Sequence, residues 1–112
     1  MFTLTSSHRY LLYAKPCDMR KSFDALSGLV RTELRGNPVS GDVFVFLNKK
    51  RNCLKLLHWE PGGFVLYYKR LEKGTYTPPV SSRQNSVSWP DLVLMVEGIE
   101  VYKSRQKARF IR

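Results

Sequence analysis

The sequence predicts an α+β fold: a small antiparallel sheet of about four strands, packed by one main amphipathic helix and a second, C-terminal helix. Three observations predict it. Between Met19 and Leu34 apolar residues recur at helical spacing. Met19, Phe23, Leu26, Val30 and Leu34 share a stripe with Leu29 beside it, and Arg20, Asp24, Ser27, Arg31 and Arg35 lie opposite. Three β-prone runs, Val43–Leu47, Cys53–Trp59 and Phe64–Leu71, follow one another across short links, so an antiparallel meander is their natural topology. Ser88 then precedes Trp89-Pro90-Asp91, where a capping hydroxyl, a proline and an acid all favour a first helical turn.

In chain order, the first eight residues are polar and weakly patterned, with Phe2 and Leu4 as anchors. Tyr10–Ala14 reads as a short strand, stopped by Lys15-Pro16 because proline cannot donate to a ladder. Asp18 is placed to cap the main helix, and Gly36-Asn37-Pro38 to end it with glycine at the left-handed position. Val43–Leu47 is apolar on both parities, so both faces of that strand should be covered. In the next strand Leu54, Leu56 and His58 share one face, and Cys53, Lys55, Leu57 and Trp59 the other. Pro61-Gly62-Gly63 is a turn.

The stretch Phe64–Tyr76 joins an apolar half to a cationic half. Its first half, Phe64–Tyr68, is expected to be the central packing strand, and Lys69–Gly74 a contact surface. Thr77–Gln84 reads as an exposed loop, and the second helix runs to about Gly98. Ile99–Tyr102 alternates, as a short strand or an extended tail. Residues 103–112 carry five cations and no acid. The expected organisation is one domain over residues 1–102 with a basic tail over 103–112.

Composition bounds the function. A chain of 112 residues with 43% hydrophobic and 12% aromatic content can bury a real core. Nineteen Lys and Arg against nine Asp and Glu give +10, a standing attraction for polyanions. Cys17 and Cys53 read as reduced thiols rather than a staple. The N-terminus lacks the pattern of a secretory signal, and the longest apolar runs are five residues, against the ~20 a membrane span needs. A soluble, cytoplasmic protein with no membrane partner is expected.

Catalysis finds little support. The nine acids are scattered, and no pair has the spacing of an acid/base motif or a two-metal centre. His8, Cys17, Cys53 and His58 contain no close ligand pair, so no metal is expected. Cys17 lies just before a helix, where a thiol can be activated, but no second signal accompanies it. Without a glycine-rich phosphate loop, no cofactor and no enzymatic activity are expected. Binding is better supported. Cations fall into four groups: Arg20 and Lys21; Lys49, Lys50 and Arg51; Lys69, Arg70 and Lys73; and the C-terminal run. Each alone reads as a solvated face, but together they read as a phosphate-binding surface. Tyr67, Tyr68 and Tyr76 interleave with them and can serve either as core or as stacking platforms for bases. No helix-turn-helix, zinc finger or RNA-binding sheet signature is visible, so sequence-specific base reading is not expected.

Four stretches carry a resemblance. Asp18-Met-Arg-Lys-Ser-Phe-Asp-Ala-Leu26, Gly41-Asp-Val-Phe-Val-Phe-Leu-Asn48, Leu54-Lys-Leu-Leu-His-Trp-Glu60 and Gly63-Phe-Val-Leu-Tyr-Tyr-Lys-Arg-Leu-Glu-Lys-Gly74 resemble the small accessory proteins of IS66-type bacterial insertion sequences, the family often called TnpB. Leu92–Gly98 followed by a basic end is similar as well, so the likeness covers nearly the whole chain. Ser22, His58-Trp59-Glu60 and the Pro78–Ser88 loop depart from it locally. The resemblance implies a protein encoded beside a separate transposase and needed with it for efficient transposition, and it brings no catalytic residues. Two readings follow. The first is a non-enzymatic accessory protein that contacts DNA through phosphates while a transposase complex assembles. The alternative is a protein–protein adaptor that binds the element's transposase with no direct DNA contact. A hidden metal-dependent nuclease is the weakest third reading.

Overall fold

The structure, a computed structural model, describes residues 4–78 and 85–97. In chain order the elements are β1 (Tyr10–Leu12), α1 (Phe23–Thr32), β2 (Val43–Leu47), β3 (Cys53–Glu60), β4 (Gly63–Arg70), β5 (Ser86–Val87) and α2 (Trp89–Val96). They form an α+β fold on a five-stranded sheet ordered β4-β3-β2-β1-β5. The sheet is one strand larger than expected, and it is mixed. β2, β3 and β4 form the predicted antiparallel meander, but β1 runs parallel to β2, with Tyr10 opposite Val43 and Leu12 opposite Val45. A parallel neighbour requires a crossover, and α1 lies within it. No run of residues announces that arrangement, because short strands pair through the fold rather than through their own pattern.

The centre of the sheet is β2, all five of whose residues are buried. Val43, Val45 and Leu47 join Tyr10, Leu12, Leu54 and Leu56 in a core beneath Leu92, Met95 and Val96 of α2. Phe44 and Phe46 point the other way, with Leu57, onto Leu26 and Val30 of α1. Each helix thus covers one face, which is why β2 is apolar on both parities. Burying each such side chain contributes about 1.5–3 kcal/mol.

This corrects the expectation for Phe64–Tyr68. β4 is an edge strand, paired on one side to β3. The central position goes to the strand that is apolar on both faces, whereas β4 has no fully buried residue, mixes half-buried with exposed ones and ends in Lys69 and Arg70. Charge at an edge also discourages further pairing.

The start of α1 is also corrected. Asp18 does not cap it. Its carboxylate accepts from the Arg20 backbone amide at 2.9 Å and so closes a tight turn. The helix begins at Phe23 after Ser22, whose extended backbone makes no side-chain cap. The physical reason lies in β3, where the Lys55 Nζ donates to the carbonyls of Met19 and Lys21, each at 2.7 Å. A Met19 carbonyl turned to that amine is not aligned to open a helix. At the other end Arg35, not Gly36, takes the left-handed φ of 52°. Gly36 is needed for closeness instead, since a Cβ there would stand 3.4 Å from both Phe44 and Val30.

The α2 start is as expected: Ser88 Oγ accepts from Asp91 N at 3.3 Å, with Pro90 in the first turn. Ile99–Tyr102, residues 103–112 and most of the Thr77–Gln84 loop lie outside the described residues. Among the described residues no helix is long and apolar enough to cross a membrane.

Candidate nucleic-acid interface

Members of two of the four cationic groups, Lys49, Lys50 and Arg70, meet at one end of the sheet, beside the Cys17–Met19 segment that leads to Arg20 and Lys21. The β2–β3 turn carries Lys49, Lys50 and Arg51, and two asparagines build it. Asn48 Oδ1 accepts from the amides of Asn52 and Cys53 at 3.0 Å each, and Asn48 Nδ2 donates to Asn52 Oδ1 at 2.7 Å. Arg51 takes a left-handed φ of 58°, and its carbonyl accepts from Tyr76 N. The turn is therefore held from inside while its lysines project into solvent. The segment before α1 reaches the same end because Cys17 N donates to the Leu47 carbonyl at 2.8 Å. Arg70 arrives from β4, opposite Cys53.

These pieces border a cleft of about 480 Å³ whose lining includes Cys17, Asp18, Lys49, Lys50, Cys53 and Arg70. Arg20 and Lys21 stand just beyond the Asp18–Met19 wall. Arg20 is partly committed, since its guanidinium donates to both Asp18 oxygens at 2.7–3.1 Å. The Arg20 side chain holds the Asp18 carboxyl down at about 2, so the pair is ionised at neutral pH. Arg51 lies on the other side of the turn, in a smaller cavity of about 130 Å³ with Lys15 and Lys49. Lys73 is exposed in the connection after β4.

Lys69 goes elsewhere. Adjacent residues of a strand face opposite ways, so Lys69 points to the α2 layer while Arg70 points to the α1 layer. There its Nζ donates to the Val96 carbonyl at 2.9 Å, where a cation suits the negative end of the helix. The fourth cationic group, residues 103–112, lies outside the described residues.

Two further side chains shape this end of the sheet, Lys55 and Tyr68. Lys55 is buried at 5% exposure and organises the loop that carries Arg20 and Lys21. Its signal was a lysine between two leucines in mid-strand. The three tyrosines divide sharply. Tyr76 is 1% exposed, Tyr67 packs against the α2 core, and Tyr68 is 53% exposed on the Arg70 side of β4. The Lys55 Nζ lies 4.7 Å from the Tyr68 ring centroid, within cation–π range. Its hydroxyl meets Cys53 Sγ at 3.8 Å, a contact that, with burial, pushes the Tyr68 phenol up and keeps it neutral.

The two thiols are free and buried. Burial pushes the Cys17 thiol up, the opposite of what a nucleophile needs. A larger cavity, about 750 Å³, opens at the other end of β2 and β3 among Arg9, Asp42, His8, His58 and Glu60. Its character differs. Arg9 and Asp42 pair at 2.6 Å, and burial, with His8 nearby, pushes His58 down towards its neutral form. Among the described residues no three His, Cys, Asp or Glu side chains are placed to hold a metal. In the cleft lined by Lys49, Lys50 and Arg70 cations outnumber acids, whereas in the larger cavity Asp42 and Glu60 accompany Arg9.

The model of the family described as "IS66 Orf2 like protein" matches residues 8–106. Two curated relatives come from Sinorhizobium fredii (strain NBRC 101917 / NGR234). Uncharacterized protein y4jC is 31% identical over 100 residues, covering 88% of this chain and 86% of the relative. Uncharacterized protein y4hO is 31% identical over 84 residues, covering 74% of this chain and 73% of the relative. No solved structure matches the chain.

Proposed function

From the premise that the chain belongs to the IS66 Orf2-like family of insertion-sequence accessory proteins, we propose that it is a non-enzymatic protein that assists transposition by gripping DNA phosphates beside the element's transposase. The observation that carries this reading is the convergence of Lys49, Lys50 and Arg70 on one cleft, next to the loop bearing Arg20 and Lys21. Separate stretches of sequence supply Lys49, Lys50 and Arg70 to the cleft, and the Lys55 bridge ties the Arg20–Lys21 loop beside it. Such a surface neutralises phosphates and releases their counterions without reading bases.

A mobility-shift titration on duplex DNA across a salt series tests this. The wild-type chain should bind at low salt and weaken steeply as salt rises. Replacing Lys49, Lys50 and Arg70 together by alanine should make the slope of log affinity against log salt shallower by about 2–3. No binding even at low salt would sink direct DNA contact. It would favour the adaptor reading, in which the same charges meet an acidic partner protein.

A further inference from the structure

We propose that the interface takes single-stranded DNA, with one unpaired base stacked on Tyr68 and the neighbouring phosphates held by Lys49, Lys50 and Arg70. This rests on the reading that the cationic cleft contacts DNA, and it names the form of DNA that the cleft prefers.

A large aromatic ring left in water forgoes the stabilisation of burial, yet Tyr68 is 53% exposed where Tyr67 and Tyr76, its neighbours in sequence, are used in the α2 core. It is also held in place. Lys55 Nζ, fixed by the Met19 and Lys21 carbonyls, sits over the ring at 4.7 Å, and the hydroxyl is tied to Cys53 Sγ. A ring whose rotamer is set before binding loses little entropy when a base stacks on it.

Its surroundings match. Tyr68 and Arg70 lie on the same face of β4, and their cross-strand partners are Lys55 and Cys53. Cys53 and Arg70 line the cleft together with Lys49 and Lys50. A flat aromatic beside a cationic cleft is the combination that grips single strands, because every base has a π-face and every linkage a phosphate. In a duplex the base faces are already stacked on one another, so Tyr68 would have nothing to take. It can distinguish the two forms of DNA, whereas the cations alone cannot.

The test is fluorescence anisotropy with the full chain, a labelled oligo-dT and a duplex of equal length at one salt concentration. The wild type should bind the single strand more tightly. Tyr68→Ala should weaken single-strand binding by about 5- to 100-fold and leave duplex binding unchanged, while Tyr68→Phe, which keeps the ring and loses only the tie to Cys53, should retain most of the single-strand affinity. Tyr68→Leu keeps an apolar cover over Lys55 and should behave as Tyr68→Ala does, which guards against a folding defect in the smaller variant. If Tyr68→Leu binds the single strand as the wild type does, or loses both forms alike, the stacking role is overturned while phosphate contact stands. If the wild type binds neither form, both readings fall together.

Discussion

Lys55 stands between Leu54 and Leu56 in the middle of β3, and its amine leaves the sheet to reach two carbonyls of the segment before α1. Placing a lysine there costs desolvation, and the two short hydrogen bonds offset it. One residue thus ties the Met19–Lys21 loop, whose first residue lines the cationic cleft, to the sheet. Alternation along the strand already put Lys55 on the face of Cys53 and Leu57. Its partners were not legible, because they lie 34 and 36 residues away and are backbone atoms, which carry no pattern of their own. Lys55→Met should therefore lower stability by about 1–3 kcal/mol, since two carbonyls lose their donor. It should also weaken DNA binding through the loosened loop. Urea denaturation followed by circular dichroism measures the first effect. A midpoint equal to or above that of the wild type would mean the carbonyls find water and the bridge contributes nothing.

At the scale of elements, β4 and its end divide two roles that look like one in sequence. Lys69 and Arg70 are adjacent cations, and together they read as a single contact group. The strand's alternation separates them: Lys69 turns to the Val96 carbonyl and Arg70 to the cleft. A period of two was legible. Which face met a helix C-terminus was not, because that depends on where α2 ends against the sheet. The same limit explains the misplaced centre of the sheet. Phe64–Tyr68 is aromatic enough for an interior strand, but position in a sheet follows from which neighbours the chain supplies. The crossover through α1 delivers β1 to β2, not to β4. The two substitutions should part accordingly. Lys69→Met should cost about 1 kcal/mol of stability by uncapping α2 and leave DNA affinity within about twofold. Arg70→Ala should do the reverse. Paired urea titrations and anisotropy on the same variants check this. An equal loss of affinity in both would return Lys69 to the contact surface.

For the whole molecule, the dominant quantity is the net charge of +10, half of which lies in residues 103–112. That number was legible at once and raised the expectation of a polyanionic partner. It could not say where the partner sits, because charge is counted over the chain while an interface needs charges gathered on one side. The described residues show the balance: Arg9, Lys15 and Arg20 are each paired with an acid, whereas Lys49, Lys50 and Arg70 are exposed around the cleft. An excess of one sign also works against the compact state, because folding brings the charges together. Salt screens that repulsion, with a Debye length of about 30 Å at 0.01 M falling to about 8 Å at 0.15 M. The melting temperature should therefore rise by several degrees between about 0.01 M and 0.15 M sodium chloride, the change expected when stability rises by about 1 kcal/mol in a chain of this size. The same salt increase should weaken DNA binding, so stability and affinity should move in opposite directions. Thermal melts by circular dichroism at both salt concentrations decide it. A melting temperature that falls with salt would mean that the three exposed ion pairs outweigh the repulsion. The excess charge would then be harmless to the fold even with no polyanion bound.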